Sequence, residues 1–263
     1  MNLIRRDFLK TSTAAAAGTL AGCTKPPAPG GASNILFQVA VSFIPVLGSD
    51  KLFPVRRIYC CGHNYAAHAR EMGADPNRDP PFFFQKPTDA VQLAPKDVTI
   101  DHPYPTITKN YHHEVELVAA IGKGGRDIAP EHALDHVFGY AVGLDMTRRD
   151  LQKAMGEKKQ PWEAGKSFDH AAVVSHLQPA GQVGHLKDGA IWLKVNGQER
   201  QSSNLNQMIW DVAEQVANLS RYYVLFPGDI VYSGTPENVG PVVVGDVMDA
   251  HIDGLYDIRV KVV

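Results

Sequence analysis

Apolar residues recur at every second position in the middle of the chain, where Val115, Leu117 and Ala119 follow the glutamates Glu114 and Glu116. That is the pattern of a half-buried strand, and it puts the two carboxylates on one face. A second run, Phe138 to Leu144, is small and apolar throughout, and it reads as a buried strand ending at a turn at Asp145. Arg57 to Cys61, Phe82 to Phe84 and Ile230 to Tyr232 read as further strands, rich in β-branched and aromatic residues. The period changes in three places. Tyr65 to Met72 is a short run of helix formers, with Asn64 as its expected cap. Thr147 followed by Asp150 reads as a capping box opening a helix through Met155. Ile209, Val212, Val216 and Leu219 give one apolar face to a helix over Met208 to Tyr222. Asn196-Gly197 predicts a type I′ hairpin over Ala190 to Gln201, read as scaffold. Asp97 to Tyr111 is expected to be loop and short strand, broken by Pro103 and Pro105, with Asp101, His102 and Asp127 as loop polar residues. From Val242 to Val263 short strands alternate with glycine turns, and no internal repeat is present. The class is α+β and strand-dominated.

The 263 residues are 44% hydrophobic and 21% charged, enough for one sizeable core. With 26 basic and 28 acidic residues the formal net charge is -2. That balance offers nothing to nucleic acid or to an anionic membrane, so the expected partner is a small molecule. Of three cysteines, Cys60 and Cys61 are neighbours, which close only a strained ring; small apolar packing is their expected role. No Gly-x-Gly-x-x-Gly follows a strand, and no phosphate loop or Gly-x-Ser-x-Gly elbow occurs, which removes support for nucleotide binding and serine hydrolysis.

The N-terminus reads separately. Arg5-Arg6-Asp7-Phe8-Leu9-Lys10 resembles a twin-arginine export signal, and the mild run Thr11 to Gly22 is too short to span a bilayer. Leu20-Ala21-Gly22-Cys23 resembles a lipoprotein processing site, which makes Cys23 a candidate lipid anchor. Pro26 to Gly31 reads as a tether. The expected organisation is a leader and linker over 1–34, a lead-in strand region over 35–55 and one catalytic domain over 56–263. The leader implies a periplasmic or membrane-anchored protein. A cytoplasmic one is the alternative if the paired arginines are incidental.

Candidate chemistry gathers on a few residues. Two carboxylates held on one face repel, and a hard divalent cation bound through oxygen relieves that repulsion. Asp145 is the expected third ligand beside Glu114 and Glu116. The alternative is a solvated edge strand on which the glutamates discourage aggregation. His68 and Glu71 lie three apart on a short helix, so the carboxylate either orients the imidazole to take a proton from water or forms an ordinary surface pair. Arg149 and Gln152 share a helix face suited to a carboxylate, or else form a solvated face with Arg148 and Lys153. Lys86, ahead of Pro87 at a strand end, reads as solvated. His113 is expected to support the site without ligating a metal. Gly234 and Thr235 lie in a tight turn, Ser233 to Pro236, whose amides and hydroxyl suit a carboxylate.

Six segments together resemble the fumarylacetoacetate hydrolase family, in particular its acylpyruvase and fumarylpyruvate hydrolase branch. They are Gly62 to His68, Phe83 to Pro87, His113 to Glu116, Gly143 to Asp150, Lys166 to Phe168, and Pro227 to Asp229 with Gly234 to Pro236, in the family's order across residues 52–263. The resemblance implies a mixed β-sandwich roll that forms homodimers. It implies Mg2+ or Mn2+ on Glu114, Glu116 and Asp145, a water-activating dyad of His68 and Glu71, a charge-stabilising Lys166, a substrate-facing place for Lys86, and substrate contacts from Arg149, Gln152, Gly234 and Thr235. The implied reaction is hydrolysis of a 2,4-dioxo acid, fumarylpyruvate giving fumarate and pyruvate. Oxaloacetate decarboxylation or hydration and isomerisation of a related oxo acid are alternatives, and an exported dicarboxylate-binding protein is the non-enzymatic one. Two positions depart from the family: His63 stands where relatives commonly carry Arg, and Asn238 where a glycine is common.

Overall fold

The structure, a computed structural model, describes residues 36–73 and 80–263. The leader readings, including Arg5, Arg6 and Cys23, lie outside the described residues. Ala40–Val263 forms one compact unit, and residues 36–39 ahead of it contain neither helix nor strand. No helix among the described residues is long and apolar enough to cross a membrane.

The two apolar runs become neighbouring strands. Val115–Ile121 is buried at every position, and Val137–Asp145 at every position but Phe138. They pair antiparallel, with Glu116 opposite Gly143 and Leu117 opposite Val142. Strands covered on both faces need apolar side chains on both, which explains why the pattern is close to continuous. Gly143 is required here, because a Cβ would stand 2.5 Å from Val118 Cγ2 and 2.7 Å from Tyr232 Cε1. The sheet runs in the order Phe83–Lys86, Arg57–Cys61, Asp229–Tyr232, Val115–Ile121, Val137–Asp145, Ala172–Val174 and Val91–Leu93, with Gln178–Pro179 also pairing to Val137–Asp145. Arg57–Cys61 is parallel to Asp229–Tyr232, and Ala172–Val174 to Val91–Leu93; the other pairs are antiparallel.

A second sheet orders Gln198–Asn204, Ala190–Val195, Val247–Ile252, Ile258–Val262 and Thr99–His102. Its first pair is the predicted hairpin. Asn196 at φ 52° and Gly197 at φ 77° supply the two left-handed residues that a type I′ turn requires. Period-two alternation buries Ile191, Leu193 and Val195 on one face, with Met248, Ala250, Ile252, Ile258, Val260 and Val262. Tyr111–His113 lies between Thr147–Arg148 and Gly240–Val242 in a third sheet, and Phe43–Pro45 pairs with Leu52–Pro54 in a fourth.

Four local expectations are corrected. The long helix runs Val212–Tyr222, not from Met208, because Asp211 caps it in a reciprocal box with Glu214. The short helix is Ala66–Glu71, with Tyr65 at the cap position and no side-chain cap. Asn64 instead donates to the carbonyls of Trp210 (2.9 Å) and Ser233 (2.7 Å). The helix after Asp145 runs Arg149–Glu157 without a side-chain cap. Thr147 Oγ1 donates to Asp145 O at 2.9 Å, and the Asp150 carboxylate accepts from Thr108 Oγ1 and Lys109 N. His102 is not a loop polar residue: it is fully buried, between Gln92 Oε1 and the Tyr111 hydroxyl.

Candidate active site

Several elements contribute to the site from an end or an interruption. Glu114 occupies the break between Tyr111–His113 and Val115–Ile121, and Asp145 closes its strand. The backbone holds them together, Asp145 N donating to Glu114 O at 2.9 Å. Lys86 ends the Phe83–Lys86 strand, Arg149 and Gln152 begin the Arg149–Glu157 helix, and Lys166 ends a short helix, Glu163–Lys166. These ends meet at a cavity lined by His63, His68, Glu114, Glu116, Asp145, Arg149, Gln152, Trp162, Lys166 and Thr235 among others.

Glu114, Glu116 and Asp145 are exposed by only 4%, 2% and 1%, which sets aside the solvated edge strand. Each offers one oxygen, all within 4.8 Å of one another. Three cationic side chains face them. Lys166 Nζ donates to Glu114 Oε2 at 2.7 Å and to Asp145 Oδ2 at 2.9 Å. Arg149 donates through Nη2 to Glu114 Oε1, through Nη1 to Gln152 Oε1 and through Nε to His112 Nδ1. Lys86 is buried, not solvated; Nζ stands 2.7 Å from Asp145 Oδ1, and its directed bonds go to the carbonyls of Met146 and Lys166.

Burial pushes the Glu114 carboxyl up, but Lys166 and then Arg149 outweigh it and hold the group below the ordinary carboxylate range. Glu116 goes the other way. Burial, then Asp145 and Glu114, push its carboxyl well above the ordinary value, while the Gly234 amide donates to Oε2 at 2.8 Å. Asp145 Oδ1 is buried and receives no directed hydrogen bond. A cluster of carboxylate oxygens, one without a directed donor and one destabilised by like charge, fits a hard divalent cation.

The predicted dyad forms: His68 Nδ1 donates to Glu71 Oε2 at 2.9 Å. Glu71 also accepts from Asn238 N at 3.1 Å. Asn238 stands at φ 66°, a left-handed conformation that Asn tolerates, so this departure from glycine leaves the loop intact. His63 lines the cavity, edge-on to Phe82 and 5.8 Å from the Trp162 ring centroid. Burial, and then His68, lower its pKa to about 4, so it enters the site as a neutral ring where an arginine would bring charge.

Sequence reasoning missed Gln201, placed in a scaffold hairpin. It is 0% exposed and reaches from the second sheet to the Glu114 strand and the Thr235 loop. No local signal marks it, because its partners lie far away in sequence. Trp162, for which the sequence carries no signal, also packs at the site, beside His63, Phe82 and Phe84. His113 has the supporting place expected of it, with Nδ1 3.0 Å from Gln201 Oε1.

Comparison with known proteins bears on the whole of this architecture. A crystal structure of fumarylpyruvate hydrolase from Pseudomonas aeruginosa, in complex with Mn2+ and pyruvate, is 57% identical with a TM-score of 0.86, covering 88% of this chain and 99% of that one. The fumarylpyruvate hydrolase of a Ralstonia species is 48% identical over 159 residues, 60% of this chain and 82% of the relative. The mitochondrial oxaloacetate decarboxylase of Dictyostelium discoideum is 39% identical over 203 residues, 76% of this chain and 90% of the relative. The family model for the fumarylacetoacetate (FAA) hydrolase C-terminal region matches residues 57–263, nearly all of the unit that holds the acidic cluster and its cavity, and the chain belongs to that family.

Proposed function

We propose that this protein is a metal-dependent hydrolase that cleaves a carbon-carbon bond of a 2,4-dioxo acid, with fumarylpyruvate giving fumarate and pyruvate. The observation that carries the reading is the buried cluster of Glu114, Glu116 and Asp145 opening into the same cavity as His68. The similarity to two fumarylpyruvate hydrolases supports the substrate, and the Mn2+ and pyruvate of the Pseudomonas aeruginosa protein support a divalent cation, Mn2+ or Mg2+, on those carboxylates. When bound, that cation supplies a Lewis acid that offsets negative charge developing on substrate oxygen.

The residues of the chain supply the rest. Arg149, Gln152 and Thr235 bind the carboxylate end, with Gly234 shaping the loop, and hold the C4 carbonyl in line. His68 takes a proton from water as the hydroxyl adds to C4, while Glu71 accepts a hydrogen bond from Nδ1–H and keeps Nε2 the basic atom of the ring. The C3–C4 bond then breaks, its electron pair stays with the pyruvyl fragment, and C3 takes up the proton that His68 removed from water, which restores the neutral imidazole. The acyl carbon departs as a carboxylate. The Lys166 ammonium stabilises charge on oxygen through the step.

The similarity to an oxaloacetate decarboxylase favours a second reading on the same cluster. Loss of carbon dioxide requires no water at a carbonyl, so that reaction does not need His68 and Glu71. The deciding experiment follows the enol absorbance of fumarylpyruvate with purified protein lacking residues 1–34, in Mn2+, in chelator and as His68→Ala. Metal-dependent loss that releases pyruvate and falls at least a hundredfold in the variant is the expected result. Turnover of oxaloacetate but not fumarylpyruvate, unaffected by His68→Ala, would replace hydrolysis by decarboxylation.

A further inference from the structure

We infer that Gln201 is a positioning residue that engages one lone pair of the Thr235 hydroxyl and so leaves its proton to be donated toward the cavity, to a carboxylate oxygen of the bound oxo acid. Gln201 belongs to the Gln198–Asn204 strand of the second sheet and is completely buried. Its amide orientation follows from backbone partners whose roles are unambiguous. Oε1 accepts from Val115 N at 3.1 Å, and Nε2 donates to Pro236 O at 2.8 Å. Oε1 therefore cannot be the nitrogen, and the amide cannot be flipped. The same Nε2 donates to Thr235 Oγ1 at 2.8 Å.

A hydroxyl has one proton and two lone pairs. With Gln201 donating to it, the Thr235 oxygen is an acceptor on that side, and its proton must point elsewhere. Among the described residues no acceptor takes that proton, and Thr235 lines the cavity. The hydroxyl therefore has its O–H available to an acceptor atom that enters, such as a carboxylate or carbonyl oxygen. Gln201 Oε1 also lies 3.0 Å from His113 Nδ1, and since that oxygen only accepts, His113 is the donor. One amide thus fastens the break beside Glu114 to the loop that carries Gly234 and Thr235. The same loop reaches the dyad through Asn238 N and Glu71.

The inference deepens the hydrolase reading and rests on it for the identity of the ligand. It is tested on Mn2+-loaded protein lacking residues 1–34, by calorimetric binding of pyruvate alongside fumarylpyruvate kinetics. The variants are Thr235→Val, Thr235→Ser, Gln201→Met (or Gln201→Leu if that variant does not fold) and the double variant. Thr235→Val and Gln201→Met should each weaken pyruvate binding about tenfold, the order expected of a hydrogen bond to a charged group. Both should raise KM more than they lower kcat. The double variant should be no more than about twofold weaker than either single one, because both remove one bond. Thr235→Ser should bind within about threefold of wild type. Thr235→Val with unchanged affinity overturns the inference, as do additive losses in the double variant, which would mark Gln201 as a structural support only. Wild-type protein that binds pyruvate but leaves fumarylpyruvate intact would remove the hydrolase reading, and the binding comparison would still decide the role of Gln201. Wild-type protein that does not bind pyruvate would overturn both.

Discussion

At the scale of single residues, the chain uses its histidines in opposite electrostatic settings. His63 is half-buried, and its low pKa removes its charge from the cavity. His251, on the second sheet, is instead held between two carboxylates, with Nδ1 2.6 Å from Asp257 Oδ1 and Nε2 2.9 Å from Asp253 Oδ1. Burial pulls its pKa down, but the bonds to Asp253 and Asp257 overcome that and raise it above the ordinary 6.5. A group whose folded pKa is raised contributes stability that is complete below its unfolded pKa and is lost as pH rises through the folded one. The thermal midpoint of His251→Gln should therefore fall below wild type by more at about pH 6 than at about pH 9. An equal gap at both would mean that the imidazolium pairs add nothing to folding. His251→Gln also removes the imidazole stacked 4.9 Å from the Trp192 ring, a loss that enters at both pH values, so the difference between the two gaps reports the ion pairs.

At the scale of elements, the site depends on how closely two short helices approach. A Cβ at Gly165 would stand 2.6 Å from Gln152 N, 2.7 Å from its Cβ and 2.8 Å from its Cα. The Glu163–Lys166 helix therefore sits on the first turns of Arg149–Glu157 only because residue 165 lacks a side chain. Gly165→Ala must push the two apart, and each carries a site residue, Lys166 on one and Arg149 with Gln152 on the other. A displacement near an ångström costs up to about a hundredfold in rate, so kcat/KM should drop roughly ten- to a hundredfold while the circular dichroism of the strands is retained. Wild-type activity in Gly165→Ala would show that the helices yield without moving their side chains.

At the scale of the whole molecule, the acidic cluster joins the central sheet to its neighbours, so cation binding and folding are linked. A ligand that binds only the folded state stabilises it by about 2.7 kcal/mol at a hundred times its Kd. For a domain of this size that corresponds to a rise of roughly 5–10 °C in thermal midpoint. Mn2+ should produce such a rise in wild type and none in Glu116→Ala, which should also lose turnover. In chelator the variant should melt no lower than wild type, because a carboxyl destabilised by burial, Asp145 and Glu114 has been removed. A midpoint that ignores Mn2+ in wild type would count against the carboxylates as its ligands.

The α+β class, the buried strands over Arg57–Cys61 and Val137–Asp145, the Asn196-Gly197 hairpin and the shared face of Glu114 and Glu116 were all legible in the residues alone. Each follows from a period or a turn chemistry that acts within a few positions of the chain. The pairing of His68 with Glu71 was legible for the same reason, being a contact of helical spacing. The caps at Asn64 and Thr147 were misread because tertiary partners took a side chain that a local motif would have used, the Trp210 and Ser233 carbonyls taking Asn64, and Thr108 and Lys109 taking Asp150. Only the folded chain decided that Lys86 is buried against Asp145, that Arg149 pairs with Glu114 and that Gln201 reaches Thr235. Those contacts join residues 59, 35 and 34 positions apart, where no local period operates. There the low dielectric of a closed interior decides, by leaving a buried charge or amide no alternative to the partner that the sheets bring to it.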